Sequence, residues 1–219
     1  SFLFYSFFLF NTFLSNMQVL KFGGTSVANA GNINKVIEIV RGKKDQLAGD
    51  RSLIVVVSAL GGVTDLLLQA ASLASAGDET YRDKLALTEQ RHLEAVKQLI
   101  PVANQSQLLS LVKKSCHEIE DICSGIFLLG ELTTRTKDRV ASYGEWLSSR
   151  IISAAMESQQ ISNTWKDSRE LIITNAAFTH AEPDFEQTNN RVISYFSSQP
   201  AGLFILPGFI AATPDGITT

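Results

Sequence analysis

The stretch Lys21-Phe22-Gly23-Gly24-Thr25-Ser26 marks the point where a predicted strand turns into a predicted helix. Glycines let a backbone approach a ligand closely, and the free amides before a helix point at anions. With a lysine at the strand tip, the stretch has the groups that a phosphate site needs. Its spacing is neither that of a Walker A loop nor Gly-x-Gly-x-x-Gly. For so short a motif, a plain turn beside a solvated lysine is the alternative.

A second apolar stretch repeats this arrangement further along the chain. Ser52–Val57 is apolar and rich in β-branched residues, which predicts a strand covered on both faces. The loop Ser58-Ala59-Leu60-Gly61-Gly62 follows it. Helical spacing of apolar residues predicts helices over residues 29–46 and 63–74. This order of strand, helix, strand and helix predicts a parallel sheet in an α/β fold.

The remainder of the chain is predicted as a long helical middle followed by short strands. Apolar periodicity predicts helices over residues 81–100, 108–127 and 134–156. Strands are predicted at residues 160–165, 171–173 and 203–206. A last helix is predicted over residues 183–196, with Pro183 in its first turn.

The composition excludes several classes of partner. A chain of 219 residues with 45% hydrophobic and 19% charged residues has a globular profile and can bury a core. The net charge of −3 gives no basic footprint for nucleic acid. No Lys/Arg-rich amphipathic helix predicts binding to a membrane surface. We therefore expect neither a nucleic-acid nor a membrane partner.

Cysteine and histidine show no metal or disulfide pattern. Cys116 and Cys123 fall on one predicted helix, roughly 10 Å apart along its axis, which is too far for a disulfide. We interpret them as small apolar residues in a reducing compartment. His92, His117 and His180 are too scattered for a metal motif, so no metal ligand is predicted.

Residues 1–16 differ from everything that follows them. Their sequence, SFLFYSFFLFNTFLSN, is rich in Phe and Leu and carries no charge. It lacks the basic residues and cleavage site of a signal peptide, and it is shorter than the about 20 apolar residues of a membrane span. We interpret it as a non-native or disordered apolar extension, with Met17 as the natural start. A membrane anchor is the alternative.

Several stretches, in their order along the chain, resemble the aspartate kinase family. They are residues 17–28 (MQVLKFGGTSVA), 56–67 (VVSALGGVTDLL), 142–145 (SYGE), 174–175 (TN) with 181–184 (AEPD), and 207–211 (PGFIA) with 216–219 (GITT). Residues 119–130 resemble the kinase half of bifunctional aspartokinase–homoserine dehydrogenases. A monofunctional aspartokinase is the alternative.

The resemblance implies a fold and an activity. The fold is the amino acid kinase (carbamate kinase-like) fold, a three-layer αβα sandwich around a mostly parallel sheet. Residues 17–219 would form the N-terminal part of the catalytic domain, truncated at its C-terminus. The activity is ATP-dependent phosphorylation of the side-chain carboxylate of L-aspartate to 4-phospho-L-aspartate, with Mg²⁺. This is the first step toward lysine, threonine and methionine. We expect a cytoplasmic location and, for the full-length protein, a homo-oligomer.

The resemblance also implies roles for individual residues. Lys21 would be catalytic and would place its ammonium against the phosphate oxygens. The nucleotide-binding set is Lys21, Phe22, Gly23, Gly24, Thr25 and Ser58. Thr64 would hydrogen-bond the aspartate, Glu145 would receive its ammonium group, and Phe209 would help shape the pocket.

Taken without the resemblance, four of these residues have structural alternatives. Ser58 could cap the following helix, and Thr64 could be an N-cap or first-turn residue. Glu145 lies off the apolar stripe of its predicted helix, which favours a surface glutamate. Phe209 could pack in the core.

Two further expectations concern the whole chain. The family continues past Thr219 with Gly-Arg-Gly-Gly-Ser-Asp, whose arginine binds the substrate carboxylate and whose aspartate is catalytic, so we expect this chain alone to be inactive. The rival interpretations are a relative acting on glutamate, carbamate or a nucleotide, and a non-catalytic ligand-binding fragment. A Rossmann dehydrogenase is disfavoured because the first loop lacks its glycine spacing.

Overall fold

The computed structural model describes residues 17–47 and 51–219. Its strands are β1 (Met17–Phe22), β2 (Ser52–Val57), β3 (Thr164–Trp165) and β4 (Leu203–Pro207). Its α-helices are α1 (Ala30–Gln46), α2 (Val63–Ser75), α3 (Tyr81–Leu99), α4 (Ser106–Leu129), α5 (Thr134–Ser158) and α6 (Phe185–Ser198). The prediction for residues 1–16 lies outside the described residues.

The four strands form one parallel sheet in the order β1-β2-β4-β3. In this sheet Phe22 pairs with Val57, and Val57 pairs with Pro207. The strands β1, β2 and β4 therefore end level with one another. The loops that follow all three emerge at one edge of the sheet, where parallel α/β proteins bind their ligands.

Helices cover both faces of the sheet, as the predicted αβα sandwich requires. Alternate residues of β2, such as Val55 and Val57, pack into a large core that also includes residues of α1 to α5. Ile54, which points to the other face, packs with Phe196 of α6 and Phe204 of β4. Strand β2 is thus buried on both faces, which explains its continuous apolar sequence. Each such buried side chain contributes about 1.5–3 kcal/mol to folding.

Side-chain caps determine where three of the helices begin. The Asn29 carboxamide oxygen accepts from the Asn32 N–H at 3.0 Å before α1, and Thr133 caps α5 in the same way. The Asp184 carboxylate accepts from the Gln187 N–H at 3.0 Å, so Asp184 is the N-cap and α6 begins at the next residue. The prediction that Pro183 lies in the first turn of this helix was therefore wrong, because Pro183 precedes the cap.

Two predicted strands are shorter or absent. At residues 160–165 only Thr164–Trp165 is a strand, because the Ile161 N–H still bonds the Met156 carbonyl at the end of α5. Residues 171–173 form no strand, only an isolated bridge from Ile173 to Ala212. There the N–H groups of Leu171 and Ile172 both donate to the Ser168 carbonyl, which commits them to a local turn.

Both cysteines of the chain lie in apolar surroundings. Cys116 and Cys123 are both buried on α4, where burial raises the pKa of their thiols to about 12 and about 11. This environment agrees with their interpretation as small apolar residues. Among the residues that the structure describes, no helix combines the length and apolar character needed to cross a bilayer.

Candidate active site

The first loop presents a lysine and free backbone amides at the sheet edge. Lys21, near the end of β1, is exposed and forms no ion pair with any described residue. The Gly23 carbonyl accepts from the N–H groups of Ser26 at 2.9 Å and Val27 at 3.3 Å, which closes a tight turn. Within the described chain, the N–H groups of Gly24 and Thr25 donate to no acceptor. One ammonium and two amides are therefore available to an anion.

The second loop leaves β2 directly beside the first. The Ser58 N–H donates to the Phe22 carbonyl at 3.1 Å, which joins the two strand exits. The following helix α2 begins at Val63, with Gly62 in the left-handed conformation at its N-cap. The capping alternative for Ser58 was therefore wrong. Thr64 is the second residue of α2 and lies in its first turn, without capping it.

Close packing of glycines holds the two loops together. A Cβ atom added at Gly61 would lie 2.8 Å from the Ala28 Cβ and 3.3 Å from the Gly24 carbonyl oxygen. Real Cβ atoms do not approach one another this closely, so only glycine fits at position 61. The two loops consequently form one continuous wall along the sheet edge.

Helix α5 packs beside the two loops and brings the buried carboxyl group of Glu145 to them. Glu145 is only 4% exposed. Burial raises the pKa of Glu145 above its usual value. Hydrogen bonding from its own backbone N–H, and then from the Ala59 N–H and the Thr64 hydroxyl, partly offsets this effect. The residue is therefore not a surface glutamate, and the structure brings it together with Thr64. No described cationic side chain pairs with this buried carboxylate, which suits a bound cation or ammonium group.

Ser148 is a residue of this site that the sequence analysis missed. It lies one turn after Glu145 on α5 and is completely buried. Its hydroxyl donates to the Ser58 carbonyl at 2.5 Å and thereby ties α5 to the exit of β2. Its spacing of three residues from Glu145 places it on the same side of the helix and could have identified it.

Phe209 follows β4 at the same sheet edge, but its side chain is 94% exposed. The core-packing alternative was therefore wrong. Its φ of 60° lies in the left-handed region, which is unusual for a bulky residue. It lines a cavity of about 530 Å³ with apolar residues such as Val56 and Leu206, and neither Thr64 nor Glu145 lines this cavity. Its role at a substrate pocket stays a prediction.

Replacing Gly144 with alanine should destabilise the protein, because α5 approaches the second loop too closely for a methyl group. A Cβ at position 144 would lie 2.9 Å from the Ala59 Cβ. We expect a loss of about 1–3 kcal/mol in the free energy of unfolding, as in other overpacked sites. Urea unfolding of the purified chain measures it.

The matched control for this variant is Gly125→Ala in α4, where an added Cβ would meet nothing within 4 Å. Only the higher helix propensity of alanine over glycine then acts, and it should stabilise the protein by about 0.5–1 kcal/mol. Equal effects of the two substitutions would contradict close packing at Gly144.

Comparison with known proteins gives a consistent result. The sequence pattern of the amino acid kinase family matches residues 16–219. A chloroplastic bifunctional aspartokinase/homoserine dehydrogenase 2 from Zea mays is 30% identical over 213 residues, covering 95% of this chain and 23% of that protein. The aspartokinase of Chlamydia trachomatis is 29% identical over 202 residues, covering 92% of this chain and 42% of that protein.

Solved structures show the same relationship. Escherichia coli aspartokinase III in complex with lysine and aspartate superposes with a TM-score of 0.79 at 25% identity, over 92% of this chain and 42% of that one. The same enzyme in complex with aspartate and ADP gives a TM-score of 0.77. This chain thus spans about a quarter of the bifunctional relative and about two fifths of the aspartokinases. With a family match over nearly its whole length, a parallel αβα fold and a glycine-rich loop at the sheet edge, the chain belongs to the amino acid kinase family.

Proposed function

We propose that this chain is the N-terminal part of an aspartate kinase catalytic domain. In the proposed reaction, the γ-phosphoryl group of ATP is transferred to the side-chain carboxylate of L-aspartate, which yields 4-phospho-L-aspartate and ADP. The observation that carries the proposal is the meeting of the Lys21 loop, Thr64 and Glu145 at one sheet edge. The names of the relatives and structural neighbours support aspartate and a nucleotide as the substrates.

The first loop suits the phosphate end of this reaction. Phosphoryl transfer requires mainly alignment of the reactants and neutralisation of charge on the moving group. In this proposal the Lys21 ammonium lies against the transferring oxygens, and backbone N–H groups of Gly24 and Thr25 donate to the same phosphates. Gly23 shapes the turn that leaves those amides free. Phe22 contributes to nucleotide binding by holding the turn at the end of β1. Ser58 contributes from the start of the adjoining loop.

The Thr64–Glu145 pair suits the amino acid end. An ammonium group would compensate the buried carboxylate of Glu145 and would fix the orientation of the substrate. The Thr64 hydroxyl, which interacts with the same carboxyl group, can also hydrogen-bond the substrate. This pair favours a substrate with a free amino group over carbamate or a nucleotide.

Mg²⁺ is expected to enter with ATP. Within residues 17–47 and 51–219, no group of three or more His, Cys, Asp or Glu side chains is arranged to hold a metal ion. Mg²⁺ commonly binds through substrate phosphates, water and only one or two carboxylates. The described residues therefore suit a metal ion that arrives bound to the nucleotide.

We further propose that the parent polypeptide is a bifunctional aspartokinase–homoserine dehydrogenase that acts at the start of lysine, threonine and methionine synthesis. The resemblance of residues 119–130 and the names of the plant relatives support this proposal. NADPH-dependent reduction of aspartate semialdehyde by the full-length polypeptide tests it. A polypeptide that folds and phosphorylates aspartate without this reduction would be monofunctional.

The test of the kinase is L-aspartate-dependent ADP release from MgATP by the full-length polypeptide. We expect turnover with L-aspartate and roughly ten- to two-hundredfold lower kcat/KM with L-glutamate, since one extra methylene typically changes discrimination by about 1–3 kcal/mol. A reaction without amino acid gives the background ATPase rate. Turnover that prefers glutamate would assign the chain to another branch of the family, and a folded protein with no turnover would contradict the kinase assignment.

A further inference from the structure

A basic cavity of about 750 Å³ adjoins the candidate active site and has no role in the proposed reaction. Four parts of the chain line it: Ile122 of α4, residues 133–143 at the start of α5, Arg169, and the segment 216–218. Helix α5 contributes two further arginines, Arg135 and Arg139. Three guanidinium groups therefore line a single cavity in a chain whose net charge is −3.

Arg169 forms a fixed wall of this cavity. Its Nε donates to both Asp167 carboxylate oxygens, at 3.0 and 3.2 Å, and its Nη2 donates to one of them at 2.6 Å. Its Nη1 donates to the Thr218 hydroxyl at 3.3 Å. Asp167 thus neutralises Arg169 and holds its planar group in one orientation.

Arg135 and Arg139 are not neutralised in this way. They lie four residues apart on α5, and neither forms an ion pair with any described residue. Like charges at this spacing destabilise a helix by a few tenths of a kcal/mol. An anion bound between the two side chains would reverse that effect.

Other polar groups in the lining already have partners. The Ser142 hydroxyl donates to the Arg139 carbonyl at 2.7 Å, and the Tyr143 hydroxyl donates to Glu118 at 2.9 Å. The Thr133 and Thr136 hydroxyls bond each other at 2.8 Å. The Arg139 guanidinium also interacts with the Tyr143 hydroxyl. Since no described carboxylate pairs with Arg135 or Arg139, their guanidinium groups are the main donors that the cavity offers to a ligand.

We propose that this cavity binds a small oxyanion with at least two negative charges, held by Arg135 and Arg139 against the wall formed by Arg169. Guanidinium groups bind phosphate and carboxylate oxygens in pairs, which a lysine cannot do. Arg139 and Arg135 lie six and ten residues before Glu145, or roughly 9 and 15 Å along the helix axis. The two arginines therefore lie away from the proposed aspartate position, although Ser142 and Tyr143 bring the cavity lining within one helical turn of Glu145. The proposed anion binding does not depend on the proposed function.

Isothermal titration of the chain with inorganic phosphate, at an ionic strength held constant with chloride, tests the proposal. We expect saturable binding of one ion to the wild-type protein, and affinity at least about tenfold weaker in Arg135→Gln/Arg139→Gln, because charged hydrogen bonds are lost. The control is Arg82→Gln/Arg191→Gln, two arginines that are exposed, as Arg135 and Arg139 are, but do not line this cavity. It should retain affinity within about twofold, since surface charges at a distance are screened.

The same titration with succinate distinguishes a phosphoryl ligand from a dicarboxylate. Tighter binding of phosphate indicates a phosphoryl ligand, and tighter binding of succinate indicates a dicarboxylate. Thermal unfolding of each variant verifies that the exposed substitutions leave the fold intact. The proposal is overturned if the wild-type protein binds neither anion saturably, or if the Arg135/Arg139 variant binds as tightly as the control. Kinase turnover enters none of these measurements.

Discussion

Lys21→Ala is expected to lower kcat for aspartate-dependent ADP formation by about a thousandfold or more, by analogy with removal of one preorganised donor from a transition state. In the transition state, charge is spread over the transferring phosphoryl oxygens, and the electron pair of the breaking bond goes to the ADP oxygen. In the proposed site Lys21 is the only full positive charge that the first loop provides. The full-length polypeptide is assayed with saturating MgATP and L-aspartate.

The fold should tolerate this substitution. Lys21 is exposed and has no ion-pair partner among the described residues, so its removal leaves no buried group unsatisfied. The neighbouring residues Leu20 and Phe22 anchor β1 in the large core and are untouched. We therefore expect an unchanged thermal unfolding midpoint, which separates lost catalysis from lost structure.

Lys35→Ala is the matched control, since Lys35 is also exposed but lies in the second turn of α1, outside the first loop. It should retain kcat within about twofold, as surface substitutions generally do. A second variant, Lys21→Arg, keeps the charge but changes its shape and reach, and we expect intermediate activity. Wild-type turnover by Lys21→Ala would remove this residue from the mechanism.

Elements buried on one or two clear faces could be predicted from the sequence. The range Ser52–Val57 was predicted correctly, because a strand buried on both faces must be apolar throughout. The segment 171–173 was not, since its apolar residues resemble a strand but their N–H groups bond a turn at Ser168. Local hydrogen bonding of this kind leaves no periodic signal in the sequence.

The candidate site could likewise be predicted from the sequence only in part. The Lys21 loop could be located because two glycines directly after a strand are typical of a backbone that turns sharply or approaches a ligand. The burial of Glu145 could not be derived from periodicity, since α5 is buried well beyond its apolar stripe. Small polar residues such as Ser142, Ser148 and Ser149 are buried on it as well. An apolar stripe predicts burial only for a helix with one solvent-facing side, and this helix lacks such a side over much of its length.

Glu145→Gln is expected to reduce kcat/KM for L-aspartate by about a hundredfold or more, because removing one member of a buried charge pair typically costs about 2–5 kcal/mol. The KM for ATP should change by no more than about twofold, since in the proposed site the substitution removes no contact with the nucleotide. Glutamine keeps the size and one acceptor oxygen, so the contacts with Thr64 and Ala59 can persist. Glu131→Gln, at an exposed position outside the helices, is the control. A similar loss of affinity for ATP would contradict a role specific to the amino acid.

The same substitution should make the protein more stable at neutral pH, and this follows from the sign of the pKa shift. Burial raises the pKa of Glu145 in the folded state above its usual value of 4.5. The fold therefore favours the protonated carboxyl group, and the resulting stabilisation is present below the unfolded pKa and is lost as the pH rises through the folded pKa. Above the folded pKa, the wild-type protein holds a buried carboxylate that the glutamine variant lacks. Its melting temperature should thus lie below that of Glu145→Gln at pH 7, and the difference should shrink as the pH falls toward and below the unfolded pKa. A variant that is both less active and less stable at pH 7 would instead indicate that the carboxylate is satisfied within the protein and is not held ready for a ligand.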